Sequence, residues 1–460
     1  MTEKQNIKQA LDEAQQINKE YNYYNYITTQ EDIKLQESNK LYNSKEGKLS
    51  GYFISVKDAI NVKGMESTAG SKILNGYKPL FDATAVKQIK EQGGIVLGKT
   101  TQDAFGFGGF SVNVGLDKEI PLNPNNKGRA CGGSSGGCAG ATSKHKIKHI
   151  SLAESTGGSI VCPASFCGVV GICPTYGRVS RYGLMDYANS LDKIGPTAKK
   201  VKDAALLLEV ISGYDENDST SANEEVKEFT TYVGKPVKGM KVGIIKEAFG
   251  EGVNSEVKKA IENKIAELKE QGVEIKEVSL PLTSKYGLSV YYILAMCEAS
   301  TNLAKYCGMR YGKQEDPTGI SFNDYFTKIR TENLNEESKR RIMIGTFARM
   351  SGFRDAYYIK AAKIRTLIIN EYKELFKTYD ALICPTMPVI APKFEEIKKM
   401  TPLENYMMDI LTVGPNLAGL PHITIPSDEV DNMPTGTMLI ADHFNEDILI
   451  QLGSSIENMY

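Results

Sequence analysis

Val242-Gly243-Ile244-Ile245, then Asn254 to Gln271, Gly272, and finally Val273-Glu274-Ile275-Lys276-Glu277-Val278 form the stretch on which the fold is decided. The two short runs rich in branched apolar residues read as strands. Between them Val257, Ile261, Ile265 and Leu268 recur at helical spacing on one stripe, and Gly272 ends the helix. The same alternation extends in both directions. Upstream, Tyr52-Phe53-Ile54-Ser55-Val56-Lys57 is extended, with Phe53, Ser55 and Lys57 on one face. Asp82 is placed to cap a helix from about Ala83 to Gln92, Gly93-Gly94 ends it, and Ile95-Val96-Leu97 reads as a short buried strand. Downstream, a long helical pattern from about Thr346 to Tyr379 leads into the strand Ala381-Leu382-Ile383-Cys384. Residues 3–19 read as a polar helix, followed by a tyrosine- and asparagine-rich segment from Tyr21 to Tyr26. Such alternation predicts an α/β fold, a large β-sheet covered on both faces by helices. No internal repeat or linker divides the chain. The expectation is one domain over 1–460: an N-terminal helical segment at 1–45, a core at 50–215, and a remainder, 216–460, completing the sheet and the substrate pocket.

Composition narrows the function classes. The 55 Lys and Arg residues against 56 Asp and Glu leave a net charge of −1, which argues against a nucleic-acid binder working through its own basic surface. No run approaches the roughly 18–20 apolar residues of a membrane helix, and Met1-Thr2-Glu3-Lys4-Gln5-Asn6 lacks a secretory pattern. The eight cysteines form no CxxC pair and read as buried, reduced thiols in a cytoplasmic protein. No His/Cys/Asp cluster has zinc spacing, so no metal is expected.

The chemistry lies in a glycine-rich span. Gly132-Gly133-Ser134-Ser135-Gly136-Gly137 sets two hydroxyls between glycine pairs, and Thr156-Gly157-Gly158-Ser159 follows 25 residues beyond Ser134. Glycines allow a loop to aim several N–H groups at one point, as an oxyanion hole requires. Taken alone, Gly-Gly-Ser-Ser-Gly-Gly is more often a flexible loop. A nucleophilic serine also needs a base, and none of the four histidines is singled out. His145 and His149 lie in a lysine-rich stretch that reads as solvated surface. His422 and His443 stand in no telling context.

The run from Gly132 to Pro196 resembles the amidase signature family. It includes Thr156-Gly157-Gly158-Ser159-Ile160, Pro163-Ala164-Ser165-Phe166-Cys167-Gly168-Val169-Val170-Gly171 and Pro174-Thr175-Tyr176-Gly177-Arg178-Val179-Ser180. Ser55-Val56-Lys57-Asp58 matches the family's upstream lysine strand. The resemblance implies the amidase signature fold and a Ser–Ser–Lys triad. In it Ser159 is the nucleophile, Ser134, after a cis peptide from Gly133, is the bridge, and Lys57 is the base. The N–H groups of Thr156, Gly157 and Gly158 form the oxyanion hole. A lysine that takes a proton must be uncharged at that moment, and burial favours the uncharged form.

Pro174–Leu184, Asn189–Pro196, Glu298–Ala304, Arg340–Thr346 and Met408–Thr412 resemble the glutamine-hydrolysing branch of the family, components of tRNA-dependent amidotransferases. That likeness implies glutamine as substrate, with Arg341 on its α-carboxylate and Asp409 on its α-ammonium. It also implies two further subunits, B and C. ATP and magnesium would sit on the partner, which also holds Glu-tRNA(Gln) or Asp-tRNA(Asn), and no cofactor would bind this chain. Four departures stand out: Ser155 where the family has aspartate, Val161 where it has arginine, Cys173 where it has lysine, and one extra residue within Lys144–His149. Charges expected near the nucleophile are therefore missing. A stand-alone amidase and a weakened scaffold protein of the complex remain as alternatives. Gly93-Gly94-Ile95-Val96-Leu97-Gly98-Lys99-Thr100 fits the phosphate-loop expression, but its centre reads as a strand and its helix comes first, so nucleotide binding is not expected there.

Overall fold

The computed structural model describes residues 3–37 and 47–458. The expected N-terminal segment at 1–45 thus falls outside the described residues at 1–2 and 38–45. Eleven strands form one mixed sheet: β1 Tyr24–Ile27, β2 Phe53–Lys57, β3 Ile95–Thr100, β4 His149–Ser155, β5 Val170–Cys173, β6 Lys193–Ala198, β7 Lys241–Ile245, β8 Glu274–Val278, β9 Ala381–Pro385, β10 His422–Val430 and β11 Met433–Ala441. Their order is β1-β3-β2-β4-β6-β5-β10-β11-β9-β7-β8. β2 lies parallel between β3 and β4, while the β4–β6–β5–β10–β11–β9 stretch is antiparallel throughout. Every residue of β2, β3, β4, β6, β9 and β11 is buried. Successive strand residues face opposite sides, so burial of all of them requires cover on both faces. Helices supply that cover, as the α/β reading expects.

The deciding stretch folds as read. Asn254 Oδ1 accepts the N–H groups of Glu256 and Val257 at 2.9 and 3.2 Å and so caps the Ser255–Glu270 helix. Val257, Ile261, Ile265 and Leu268 are its buried stripe, and β7 and β8 pair in parallel. Two expectations need correction. The helix after Asp82 spans Thr84–Glu91 without a side-chain cap. The Asp82 carboxylate instead accepts from Lys63 N at 2.8 Å and from Lys90 Nζ at 2.8 and 2.9 Å, so it is spent on tertiary contacts. The continuous helix expected over 346–379 is broken. Glu336–Arg349 ends at Met350, Gly352 adopts φ +90°, a π-helical turn covers Asp355–Ile359, and Lys360–Phe376 resumes. An apolar period persists across such a break, but a left-handed glycine cannot lie inside an α-helix.

Replacing Asn254 by alanine removes two hydrogen bonds to an otherwise open helix end. The expected loss is about 1 kcal/mol, read as a lower urea midpoint with an unchanged slope.

Candidate active site

Lys57 closes β2 with its whole side chain out of water, and three acceptors surround its Nζ: Ser134 Oγ at 2.8 Å, Glu154 O at 2.9 Å and Glu154 Oε2 at 2.8 Å. The β2–β4 pairing, Val56 against Leu152, brings the ends of the two strands together and so sets Lys57 beside Glu154. Ser134 follows a cis peptide bond from Gly133, just ahead of the Gly136–Lys144 helix. Ser135 Oγ donates to Glu154 O at 3.0 Å and ties that loop to β4.

Thr156-Gly157-Gly158-Ser159 joins β4 to the Val161–Cys167 helix. Among the described residues, nothing accepts from the N–H groups of Thr156, Gly157 and Gly158. Ser159 is 7% exposed, and no hydrogen bond joins it to Ser134 or to any other described residue. The glycines answer to close neighbours: a Cβ on Gly157 would stand 2.7 Å from Tyr291 Oη, and one on Gly158 would stand 2.5 Å from Thr412 Oγ1.

Those neighbours link the loop to Arg341 and Asp409. Tyr292, next to Tyr291, donates its hydroxyl to Asp409 Oδ2 at 2.5 Å, and Thr412 N donates to Asp409 O at 3.0 Å. Arg341 is buried; its Nε donates to Glu337 Oε1 at 2.7 Å and its Nη1 to Tyr187 Oη at 2.6 Å. Phe107, Tyr187, Tyr292 and Tyr406 surround the guanidinium, with Cζ 5.2–5.8 Å from their ring centres. Nη2 has no acceptor among the described residues, and Arg341 lines a cavity of about 780 Å³ with Tyr292, Tyr406, Glu337 and Gly109. Burial pushes the Asp409 carboxyl above its usual range, partly opposed by the Tyr292 hydrogen bond and the Arg341 charge. Arg341 is thus withdrawn from the surface, and the Asp409 carboxylate is spent on Tyr292 and not on a helix end.

Sequence reasoning missed Glu154. A departure at the neighbouring position was its only signal, an acid standing one residue before the expected aspartate. Adjacent strand residues face opposite ways: Glu154 meets Lys57, whereas Ser155 lies against Cys173. The charge around Lys57 and Ser134 is thus rearranged, not simply absent. Thr156 Oγ1 donates to Glu154 Oε1 at 2.9 Å and stands 2.8 Å from Asp192 Oδ1, which also escaped notice. Val161 sits in the hydrophobic core. On the Cys173 side, burial raises the thiol and lowers the ammonium of Lys193, whose Nζ donates to Leu420 O at 3.0 Å.

His145 and His149 are not solvated. Only their lysine neighbours Lys146 and Lys148 are exposed. The two rings stack at 4.4 Å; Tyr24 Oη lies 2.7 Å from His145 Nε2, and Ser55 Oγ lies 2.7 Å from His149 Nε2. Burial pushes His149 well below the usual histidine range, and His422 likewise. No histidine hydrogen-bonds to Ser134 or Ser159. The phosphate-loop match is β3 itself, and Lys99 is spent on Asp58 O, Ile60 O and Ser67 Oγ at 3.2, 2.6 and 2.6 Å. All eight cysteines are free thiols. Among the described residues no group of three or more His, Cys, Asp or Glu side chains could hold a metal ion, and no helix is long and apolar enough to cross a membrane.

With this geometry in place, comparison with known proteins defines the class. The amidase family model matches residues 5–450, and the chain belongs to the amidase family. The chain is 46% identical over 434 residues to the A subunit of glutamyl-tRNA(Gln) amidotransferase from Halothermothrix orenii, covering 94% of this chain and 89% of the relative. It is 43% identical to the protein of the same name in Fusobacterium nucleatum, covering 94% and 88%. The crystal structure of the like-named protein from Thermotoga maritima superposes with a TM-score of 0.83 at 35% identity, over 100% of this chain and 92% of the other. A 6-aminohexanoate cyclic dimer hydrolase, 21% identical, shares the fold with a TM-score of 0.84, over 100% and 94%.

Gly158→Ala sets a methyl group against Thr412 Oγ1 and displaces the loop. Amide hydrolysis falls by about 10²- to 10³-fold, the scale of losing one oxyanion donor, while circular dichroism stays that of the parent. Adding Thr412→Ala restores part of the rate.

Proposed function

We propose that the chain hydrolyses glutamine to glutamate and ammonia through Ser159, Ser134 and Lys57. The ammonia serves a complex that converts Glu-tRNA(Gln), or Asp-tRNA(Asn), to the amidated form. Its B and C partners, with ATP and magnesium on the partner, carry out the tRNA-dependent step. The shared name of the relatives supports this reading.

Ser159 Oγ bonds to the amide carbon and gives its proton to Ser134 Oγ, while Ser134 gives its own to the Lys57 nitrogen. The carbonyl π pair moves to oxygen, facing the N–H groups of Thr156, Gly157 and Gly158. The proton returns from Lys57 through Ser134 to the leaving nitrogen as the C–N bond breaks and ammonia departs. Water then enters by the same relay and releases glutamate.

The observation that carries the substrate is the Arg341–Asp409 arrangement. A guanidinium with unspent N–H groups and an aspartate both contact Tyr292, the first over its ring and the second at its hydroxyl, buried beside the glycine loop. A free amino acid presents a carboxylate and an ammonium to match them. A neutral carboxamide has no use for either charge, which disfavours a stand-alone amidase for small amides.

Ser159→Ala and Lys57→Ala each abolish glutaminase turnover in the assembled complex, measured by glutamate release; full activity in either removes the triad. Arg341→Gln removes a charge-assisted contact of about 1.5–3 kcal/mol. It raises KM for glutamine by about 10- to 100-fold and leaves hydrolysis of an uncharged carboxamide little changed. Equal losses on both substrates overturn the substrate assignment.

A further inference from the structure

We propose that Glu154 is a fourth member of the relay, a positioning residue whose carboxylate turns the Lys57 lone pair toward Ser134 and holds the charge that Lys57 gains. The proposal deepens the Ser159–Ser134–Lys57 reading and rests on it.

The valences around Nζ carry the argument. An uncharged amine has two N–H groups and one lone pair. Of its three neighbours, Glu154 O and Glu154 Oε2 can only accept, whereas Ser134 Oγ can donate. Both N–H groups therefore go to Glu154, and the lone pair is left for the Ser134 proton. Without an acceptor at Oε2, one N–H is free to point at Ser134, and the lone pair no longer faces the Ser134 proton. Once the proton arrives, the new ammonium stands 2.8 Å from a carboxylate with neither side chain more than 4% exposed. There the attraction far exceeds its value in water.

The charge on Glu154 is itself provided for. Thr156 has one hydroxyl proton between two carboxyls, Glu154 Oε1 and Asp192 Oδ1. Burial and the neighbouring Glu154 charge push Asp192 well above the usual carboxylate range. The Thr156 hydroxyl thus ties Glu154 to Asp192 and steadies the carboxylate whose other oxygen faces Lys57. Other titratable groups face the pair. Asp103 follows β3 and is pushed up to about 6 by burial. Cys138, on the Gly136–Lys144 helix, is pushed up to about 11, and Cys173 on β5 is raised as well. Both thiols stay neutral in the working range. Asp103 is common to all the variants below, so differences among them report Glu154.

The test is the pH profile of kcat/KM for glutamine, using the full chain co-expressed with its partner subunits. Nearby negative charge favours the protonated amine, so removing it moves the acid limb down. In Glu154→Gln the limb shifts to lower pH by about one to three units, the range for an opposite charge at this distance, and the plateau falls at least tenfold. Glu154→Asp keeps the charge and the limb stays in place, with part of the rate retained. Where Glu154→Gln does not accumulate as folded protein, Thr156→Val serves. It takes the donor from the carboxylate, strengthens the pull on the ammonium and moves the limb up. A Gln or Val variant whose limb does not move overturns the proposal, whatever its rate. If Ser159→Ala turns over normally in the same assay, the triad reading fails instead.

Discussion

A lysine nitrogen without access to water, with three oxygen atoms around it, is the constraint on which this molecule turns. Taking an ammonium and a carboxylate out of water costs several kcal/mol per ion, recovered only when geometry and hydrogen bonding are good. The sheet supplies that geometry. Parallel pairing of β2 with β4 sets the height of Lys57 against Glu154, and Ser135 fastens the glycine–serine loop to the same backbone carbonyl that Lys57 uses. A one-residue slip between the strands would turn every side chain to the opposite face. The continuous burial of the central strands makes that slip expensive. The alignment of Lys57 with Glu154 and strand register are thus one property.

The surroundings of Arg341 rest on different physics. Arg341 is held in place by a carboxylate and a tyrosine hydroxyl and is walled by four aromatic rings. Planar guanidinium groups tolerate such walls better than strongly hydrated ammonium groups do. Tyr187 stands at the junction of the two halves. Its hydroxyl accepts from Arg341, and its ring lies, like Ser134 Oγ, 3.5 Å from where a Cβ on Gly106 would be. Arg341 is therefore linked to the Ser134 loop through packed side chains.

Much of this was legible in the residues. The strand–helix–strand period around 242–278 is local, and local patterning survives folding. Lys57 and Ser134 came together because the motif that marks them requires it, and the structure brings both to one nitrogen. Glu154, Asp192 and the Thr156 hydroxyl between them were not legible, since a chain of polar contacts between β4 and the loop before β6 has no sequence period. His145 and His149 were misread for a related reason. Lysines at alternate positions describe one face of the segment, and the histidines belong to the other, against Tyr24 and Ser55. The long helix failed at Gly352, where one left-handed residue outweighed an apolar pattern.

The outermost strands carry a last consequence. A sheet of eleven strands has two open edges, each a template on which another chain can pair. At one edge β1 is only four residues long, and its register shifts between Tyr24 and Tyr26, so little regular backbone is offered. At the other, β8 presents Glu274, Lys276 and Glu277 to solvent. A second strand docking there would have to accommodate these charges. The margins of the sheet thus offer little regular apolar backbone, in contrast to the buried central strands that carry Lys57 and Glu154.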